Sequence, residues 1–378
     1  MWFFRSPQIA YGEDALTYLS TIDIARAVIV VDRNLMQTQL PAKVVSALPA
    51  ESKHIFVGDI PEEPTFSQMN RHSDKIRSFA PDWFIALGGG STIDTAKVLF
   101  ALYERPDISF YDITPLVHLE LRKRSRLIAI PTTSGTGSDC SWAAVVTESG
   151  EKRKNELASP EILPDISILD PEMVVSLPPE QTRNTAVDAV THAVEAHVST
   201  WQNPYSDALA EKSFQMLTGF LPEVIKKPSD LHLRGMVHVA ASMAGLAFSN
   251  SQIGLAHALG HALGARYHVA HGKAVGLFLP YVVNFNYGVQ REKYDWLNRL
   301  MPVRHRRARL DESLISFFSE IGQPISLDGM GIDADDYVAG IDGMADMAME
   351  STGITTNPRD ADSAQLKEFF RQALEGKA

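Results

Sequence analysis

Residues 184–197 read N-T-A-V-D-A-V-T-H-A-V-E-A-H, and residues 254–272 read G-L-A-H-A-L-G-H-A-L-G-A-R-Y-H-V-A-H-G. Both stretches are rich in alanine and contain no proline, a composition that favours helices. Each carries two metal-binding side chains four residues apart, Asp188 with His192 and His257 with His261. Residues at this spacing share one face of a helix. A carboxylate and several imidazoles on two helices are suitable ligands for a divalent metal such as iron or zinc.

A single pair at this spacing is more often a polar stripe on the surface of a helix than a metal site. Two pairs in apolar surroundings favour a site, because buried charge needs a partner. The second stretch offers four imidazoles, His257, His261, His268 and His271. The spacing alone does not decide which of them bind a metal.

Composition limits the class of protein. A chain of 378 residues can form two domains, each with its own core. The net charge of -11, without a long basic run, argues against nucleic acid or an anionic membrane as the partner. The single cysteine, Cys140, excludes an internal disulfide and fits a reducing, cytoplasmic setting. The N-terminus has no long apolar run, so neither a signal peptide nor a membrane span is expected.

The first half of the chain alternates short apolar runs with helical stretches. Strands are predicted at Ala27–Val31, His54–Val57, Trp83–Leu87 and Leu127–Ile130. Apolar strands separated by helices predict a parallel sheet that is covered on both faces. Ligands of such sheets bind at the carboxyl ends of the strands.

From Pro178 onward the strand pattern stops. Helices are predicted at about 180–199, 205–220, 232–248, 253–266, 309–321, 334–350 and 363–375. The sequence therefore predicts an α/β domain with a parallel sheet and Rossmann-like nucleotide binding over residues 1–178. An all-α metal-binding domain is predicted over residues 179–378.

A glycine-rich loop, Gly88-Gly89-Gly90-Ser91, follows a predicted strand and opens a helix that carries Asp94 and Lys97. Glycines let a ligand approach the backbone, and the free N–H groups and the helix dipole favour a phosphate. An ordinary strand–turn–helix connection needs one or two glycines, so three in a row favour diphosphate binding. The loop differs from the G-x-G-x-x-G pattern of the Rossmann motif and does not follow the first strand.

A second loop, residues 131–138, reads P-T-T-S-G-T-G-S and is dense in hydroxyl groups that can bond a nucleotide. No Lys-Ser or Lys-Thr pair follows its glycines, which disfavours hydrolysis of a nucleotide triphosphate. Asp32 ends the first strand and can accept hydrogen bonds from an adenosine ribose. Aspartate at such a position also commonly caps the next helix.

Taken together, these stretches resemble the iron-containing (group III) alcohol dehydrogenase family nearly from end to end. The matching motifs are A-L-G-G-G-S-T-I-D-T-A-K, A-I-P-T-T-S-G-T-G-S, L-D-P-E-M-V-V-S-L-P, V-D-A-V-T-H-A-V-E-A, G-L-A-F-S-N, G-L-A-H-A-L-G-H-A-L-G, H-G-K-A-V-G and N-P-R. The resemblance implies a dehydroquinate synthase-like architecture. It also implies metal ligands at Asp188, His192, His257 and His271, with His261 near the nicotinamide and the substrate as the proton carrier.

The resemblance further implies the cofactor contacts. Those expected to bind the cofactor are Asp32, Gly89, Gly90, Ser91, Asp94, Thr132, Thr133, Thr136 and Lys154. The implied activity is metal-dependent hydride transfer between NAD(H), rather than NADP(H), and a small alcohol, aldehyde or ketone. The expected metal is Fe²⁺, with Zn²⁺ as the alternative, and the expected assembly is a homodimer or higher homo-oligomer.

Two alternatives remain at this point. One is a metal- and NAD-dependent lyase resembling dehydroquinate synthase, against which the additional ligand His192 argues, as it does against the zinc glycerol dehydrogenases. The other is a non-redox metal hydrolase, in which the two glycine- and threonine-rich loops would have no purpose. Trp142, Arg266 and His268 are departures from the family pattern and receive no role.

Overall fold

The fold is that of a computed structural model, which describes residues 3–60, 65–147, 154–328 and 330–376. Within these ranges the side chains of Asp59, Thr147 and Lys154 are not described. The chain divides into two compact units, Met1–Ser176 and Leu177–Ala378.

The first unit is an α/β structure built on parallel strands. Its elements in chain order are β1 (Gln8–Tyr11), β2 (Arg26–Asp32), α1 (Leu40–Ala47), β3 (Lys53–Ile60), α2 (Phe66–Asn70), α3 (Ser73–Phe79), β4 (Trp83–Gly88), α4 (Gly90–Glu104), β5 (Arg126–Pro131), β6 (Ala143–Thr147), β7 (Lys154–Ala158) and β8 (Ile166–Leu169). Six strands form one sheet in the order β1-β8-β5-β4-β2-β3. Every described pair in this sheet is parallel, and β6 and β7 form a separate antiparallel pair. The predicted parallel sheet is confirmed.

Alternate residues of the central strands enter two different cores, one on each face of the sheet. Val28 and Val30 of β2 pack with Phe100 of α4, whereas Ile29 packs with Val44 of α1 on the other face. These strands are apolar throughout because both of their faces are covered.

Three loops come together at one edge of this sheet. β2 lies between β3 and β4, so the chain leaves β2 towards one side and returns on the other. Such a reversal of strand order creates a crevice beyond the carboxyl ends of the strands. Val31 is paired with Leu87, and Gly88 with Pro131, so β2, β4 and β5 end side by side. The loops predicted to bind the cofactor begin there.

In its described residues the second unit contains helices and no strand. The helices are α5 (Pro179–Val198), α6 (Pro204–Lys226), α7 (Leu231–Ser249), α8 (Leu255–Tyr267), α9 (His271–Leu300), α10 (Leu310–Ile321), α11 (Ala334–Met349), α12 (Thr352–Thr356) and α13 (Ser363–Glu375). The predicted helical character of this part of the chain is confirmed. In the described ranges, no helix is long and apolar enough to cross a membrane.

Glycines bring three of these helices unusually close together. A Cβ atom at Gly272 of α9 would lie 1.8 Å from the carbonyl oxygen of Asn184 in α5. A Cβ atom at Gly260 of α8 would lie 2.8 Å from the backbone nitrogen of Val275 in α9. Only glycine permits approaches of this kind. The three helices therefore carry their side chains into one shared region.

Candidate active site

Three side chains from two helices, those of Asp188, His192 and His257, lie close together. Ligand atoms of Asp188, His192 and His257 all lie within 4.8 Å of one another, and all three residues are buried. Asp188 Oδ1 is 3.7 Å from His192 Nε2 and 3.3 Å from His257 Nε2. Asp188 and His192 share one face of α5, whereas His257 comes from the first turn of α8.

His271, at the start of α9, is close to the same carboxylate. Its Nε2 lies 3.2 Å from Asp188 Oδ1, and its side chain is 42% exposed. It is not part of the mutual group of Asp188, His192 and His257. Three imidazole nitrogens from three helices thus surround one carboxylate oxygen, with His271 on the exposed side.

The electrostatics of this cluster favour a cation. Among the described residues, neither Asp188 Oδ1 nor His257 Nε2 has a hydrogen-bond partner, although both atoms are buried. Burial alone would raise the pKa of Asp188, but His192 and His271 outweigh it and hold that pKa well below its usual range. Burial lowers the pKa of His257, but Glu195 and Asp188 outweigh this and raise it to about 10. A buried oxygen and a buried nitrogen without partners, one opposite the other, fit a bound divalent metal.

Glu195, which the sequence interpretation did not assign, is a further charged residue of this cluster. Its side chain is 3% exposed, and its Oε2 lies 2.5 Å from His257 Nδ1. The same carboxylate accepts hydrogen bonds from the backbone N–H groups of Gly254 and Ala256, at 2.8 Å and 2.6 Å. Asp188, His192 and Glu195 have the spacing i, i+4, i+7, which places them on one helical face. That spacing could have revealed Glu195 from the sequence.

His261 belongs to the same group of imidazoles. Its ring centre lies 5.1 Å from that of His271 and 5.9 Å from that of His257. It is half-buried, one helical turn after His257 on α8. His261 is therefore outside the group formed by Asp188, His192 and His257, but its ring lies close to the rings of His257 and His271.

In the first unit, the glycine-rich loop lies directly against the hydroxyl-rich loop. A Cβ atom at Gly89 would be 3.3 Å from Cγ2 of Thr133, and one at Gly90 would be 3.0 Å from Cγ2 of Thr136. No side chain caps α4 at Gly89, and Ser91 in its first turn is exposed. The N-terminus of α4 is thus available to a phosphate.

Asp94 and Lys97 hold these two loops together from inside the protein. Asp94 Oδ1 accepts a hydrogen bond from Ser138, and Oδ2 accepts one from the N–H group of Val145 at 2.9 Å. Lys97 Nζ donates to Ser138 and Ser141, at 3.0 Å and 3.2 Å, and its burial lowers its pKa. These contacts give Asp94 a supporting role, and its direct contact with a cofactor stays a prediction.

The other predicted cofactor residues lie as follows. Asp32 is half-buried at the end of β2, and its Oδ1 accepts hydrogen bonds from the N–H groups of Asn34 and Leu35 at 2.8 Å and 2.9 Å. Asp32 therefore caps the turn that follows β2, and this role uses only one of its two carboxylate oxygens. Thr132 is buried beside Gly88, to whose carbonyl it donates at 3.0 Å. Lys154 begins β7, but its side chain lies outside the described part of the structure.

The structure describes the positions of the three residues that received no role from the sequence. Arg266 pairs with Asp336 at 3.2 Å and donates to the hydroxyl of Tyr267 at 2.9 Å, which joins the end of α8 to α11. His268 ends α8 in a left-handed conformation with φ of 54°. Trp142 is half-buried directly before β6, and its carbonyl oxygen accepts a hydrogen bond from the N–H group of Ser159 at 2.9 Å.

Comparison with known proteins gives consistent matches. Residues 6–171 match the model of the iron-containing alcohol dehydrogenases, and residues 182–374 match that of the C-terminal part of the same family. The NADPH-dependent butanol dehydrogenase of Clostridium saccharobutylicum is 31% identical over 98% of this chain and 97% of its own length. The 1-propanol dehydrogenase of Salmonella typhimurium is 32% identical over 98% of this chain and 99% of its own.

A solved structure agrees with these relatives. The iron-containing alcohol dehydrogenase of Thermococcus thioreducens superposes with a TM-score of 0.90 at 30% identity and covers 100% of both chains. Both halves of the sequence match one family, and the fold matches a member of that family over its full length. The chain therefore belongs to the iron-containing alcohol dehydrogenase family.

Proposed function

We propose that this chain is a metal-dependent alcohol dehydrogenase and aldehyde reductase that transfers hydride between NAD(H) and a small alcohol, aldehyde or ketone. The observation that carries the proposal is the position of Asp188 Oδ1, a buried oxygen 3.2 to 3.7 Å from three imidazole nitrogens. Within the described residues this oxygen has no hydrogen-bond partner. Because the chain belongs to the iron-containing alcohol dehydrogenase family, we interpret these oxygen and nitrogen atoms as ligands of a metal ion.

The ligands we assign to the metal are Asp188, His192, His257 and His271. One carboxylate and three imidazoles suit divalent iron, with zinc as the alternative. When bound, the metal supplies Lewis acidity at the substrate oxygen, and the nicotinamide supplies or accepts the hydride. The buried carboxylates Asp188 and Glu195 together offset the charge of one divalent cation.

His261 is the residue we assign to proton transfer. An imidazole can take up and release a proton near neutral pH, which the interconversion of an alcohol and an aldehyde requires. The half-buried position of His261, 5.1 Å from the ring of the exposed His271, supports this role. The other histidines of the cluster contact Asp188 instead.

The cofactor is assigned to the first unit. The N-terminus of α4, with Gly89, Gly90 and Ser91, is proposed to bind the diphosphate. Thr132, Thr133 and Thr136 are proposed to contact the cofactor further along its length, and Lys154 to approach the nicotinamide ribose. The close packing of the two loops at Gly90 and Thr136 supports this assignment.

Replacing Gly90 with valine is expected to abolish cofactor binding and to leave the metal content unchanged. The new side chain would enter the space beside Thr136, whose Cγ2 is only 3.0 Å from the position of a Cβ atom. Titration of NADH by fluorescence measures the loss. Gly343→Val is the control, because a Cβ atom at Gly343 has nothing within 4 Å. Unchanged NADH affinity in Gly90→Val would mean that this loop has another task.

We propose NAD rather than NADP as the preferred cofactor, on the basis of Asp32. Its Oδ2 can accept hydrogen bonds from the ribose of NAD, whereas the extra phosphate of NADP would meet a carboxylate of the same sign. The relative from Clostridium is named as NADPH-dependent, so both cofactors need to be measured.

Asp32→Gly is accordingly expected to raise kcat/KM with NADPH by about tenfold or more, a change that corresponds to about 1.4 kcal/mol. The value with NADH should change less. The exposed Arg33, which follows directly, offers a guanidinium to a phosphate and is the competing influence. Equal catalytic efficiency of the unmodified enzyme with both cofactors would show that Asp32 does not discriminate between them.

The activity itself is tested by mixing the metal-loaded protein with NADH and a panel of small aldehydes and ketones. The absorbance of the reduced nicotinamide should fall with time. The lyase alternative is not favoured, because the relatives that match over the full chain are named as dehydrogenases. A lyase or a hydrolase would leave the NADH absorbance unchanged with every carbonyl substrate.

We also propose a homodimer in a reducing, cytoplasmic setting. β1 lies at the end of the sheet order; Tyr11, its last residue, is 69% exposed, and Phe3, which precedes the strand, is 70% exposed. An exposed apolar edge strand is a surface that pairs readily with a second chain. The single buried cysteine supports the reducing setting. The mass of the protein in solution tests the assembly.

A further inference from the structure

Glu195 makes contacts that no ligand role explains. It lies on the same face of α5 as Asp188 and His192, but its carboxylate points to the start of α8 instead of to Asp188. Oε2 lies 2.5 Å from Nδ1 of His257 and accepts from the N–H group of Gly254, and Oε1 accepts from that of Ala256 at 2.6 Å. All of these groups are buried or half-buried, so little water competes for them.

The contact with His257 determines which ring nitrogen keeps its proton when a metal binds. A carboxylate can only accept, so Nδ1 of His257 must donate. A metal can bind only through a ring nitrogen that has lost its proton, and this leaves Nε2 as the nitrogen that offers a lone pair. It lies 3.3 Å from Asp188 Oδ1, on the side of the ring opposite Glu195. Glu195 therefore presents the lone pair of Nε2 to the position that the metal is proposed to occupy.

The contacts with Gly254 and Ala256 fix the position of the ring as well as its protonation. Helices begin with N–H groups that lack partners within the helix, and a carboxylate at that end is stabilising. Glu195 fills this role from a different helix, since the N-cap residue of α8, Gly254, has no side chain of its own to do so. The start of α8, and His257 in its first turn, are thereby attached to α5, which carries the other two buried ligands.

We infer that Glu195 is a positioning residue of the metal centre, which orients His257 and sets its tautomer. The inference rests on the proposed function, because it needs the metal to bind at Asp188 and His257. Glu195 thus affects the affinity for the metal although it is not itself a ligand of the metal. A carboxylate behind a metal-binding histidine commonly changes the affinity for the metal by about 10–100-fold.

The test compares Glu195→Gln with the unmodified protein. Glutamine has the same length, but it is neutral and has one acceptor oxygen in place of two. It cannot accept from His257 on one side and from Ala256 on the other. The affinity for Zn²⁺, measured by competition with a chelator, is expected to fall by about 10–100-fold. Glu180→Gln, the same change at an exposed position of α5, is the control and should leave the affinity unchanged.

A purely structural role of Glu195 would give a different result. It would lower the unfolding temperature of the metal-free protein, while the folded protein would bind Zn²⁺ as tightly as before. The stabilisation by a given Zn²⁺ concentration depends on the dissociation constant. It should therefore shrink in Glu195→Gln if our inference is correct. Unchanged stabilisation and unchanged affinity would overturn the inference.

If Glu195→Gln does not fold, Glu195→Asp is measured instead, because aspartate keeps the carboxylate on a side chain that is one methylene shorter. Its Zn²⁺-loaded form should show Nδ1 of His257 still protonated in the ¹⁵N spectrum, with an affinity for Zn²⁺ below that of the unmodified protein. An affinity equal to that of the unmodified protein, although the shorter side chain can no longer hold the ring, would overturn the inference. An unmodified protein that binds no Zn²⁺ would instead contradict the proposed function.

Discussion

His257→Ala is expected to remove the metal and to lower kcat/KM by roughly a thousandfold. Lewis-acid stabilisation of the developing charge amounts to several kcal/mol, and about 4 kcal/mol corresponds to this factor. His257 is buried, and its Nε2 is one of the three ligand atoms that lie within 4.8 Å of one another. Metal content per chain by elemental analysis, and the rate of NADH oxidation with an aldehyde, measure the two losses.

The fold of this variant should persist. Glu195 keeps its hydrogen bonds to the N–H groups of Gly254 and Ala256, so the start of α8 remains attached to α5. The helical signal in circular dichroism should then be close to that of the unmodified protein. Full activity in a variant shown to be free of metal would contradict the proposed mechanism.

His261→Ala is the matched comparison, one turn further along the same helix. His261 is not among the three mutual ligand atoms, so the metal should stay bound. Loss of a proton carrier usually costs about 10²-fold or more in kcat. Retained metal with a reduced kcat would distinguish His261 from a ligand. Loss of metal in both variants would move His261 into the ligand set.

The architecture of the first unit could be predicted because each central strand is apolar along its whole length. Four strands were nevertheless missed: β6 and β7 of the separate antiparallel pair, and β1 and β8 of the main sheet. β8 (Ile166–Leu169) has four residues, and β1 (Gln8–Tyr11) lies at the sheet edge, where half-exposed side chains give no apolar run. Such strands are defined by the neighbour with which they pair, and the sequence does not name that neighbour.

The largest omission in the second unit is α9, a span of 30 residues that is helical on both sides of a kink at Gln290. The segment contains Pro280 and several β-branched and aromatic residues, all of which lower the intrinsic helix propensity. Packing against α5 and α8 overrides that preference, as tertiary contacts often do. Because α9 was not predicted, the approach of Gly272 to Asn184 could not be predicted either.

The candidate metal site was predictable only in part from the residues. Spacing places Asp188 and His192 on one face, and His257 and His261 on another. It cannot show that the two faces meet, because this depends on the packing of α5 against α8. The choice of His271 over His268 came from the family resemblance. In the structure His271 lies 3.2 Å from Asp188, whereas His268 is an exposed residue at the end of α8.

Gly272→Ala should destabilise the second unit and weaken metal binding at the same time. The added Cβ atom would lie 1.8 Å from the carbonyl oxygen of Asn184 and 3.1 Å from Cβ of Asp188. Both neighbours are parts of α5 that cannot rotate away, so α5 and α9 must separate. Overpacking of this kind costs about 1–3 kcal/mol and more where the backbone itself must move. His271, which precedes Gly272, would move away from Asp188 with α9.

Gly288→Ala, on the same helix, separates this collision from the general effect of adding a methyl group. Nothing lies within 4 Å of a Cβ atom at Gly288, so the substitution should stabilise α9 by about 0.5–1 kcal/mol. For a unit of this size, the midpoint of thermal unfolding shifts by about 2–4 °C for each kcal/mol. Gly272→Ala should therefore unfold several degrees lower and bind Zn²⁺ more weakly, whereas Gly288→Ala should unfold slightly higher with unchanged affinity. If both variants unfold at the same temperature and retain the metal, the close approach of α5 and α9 does not maintain the site.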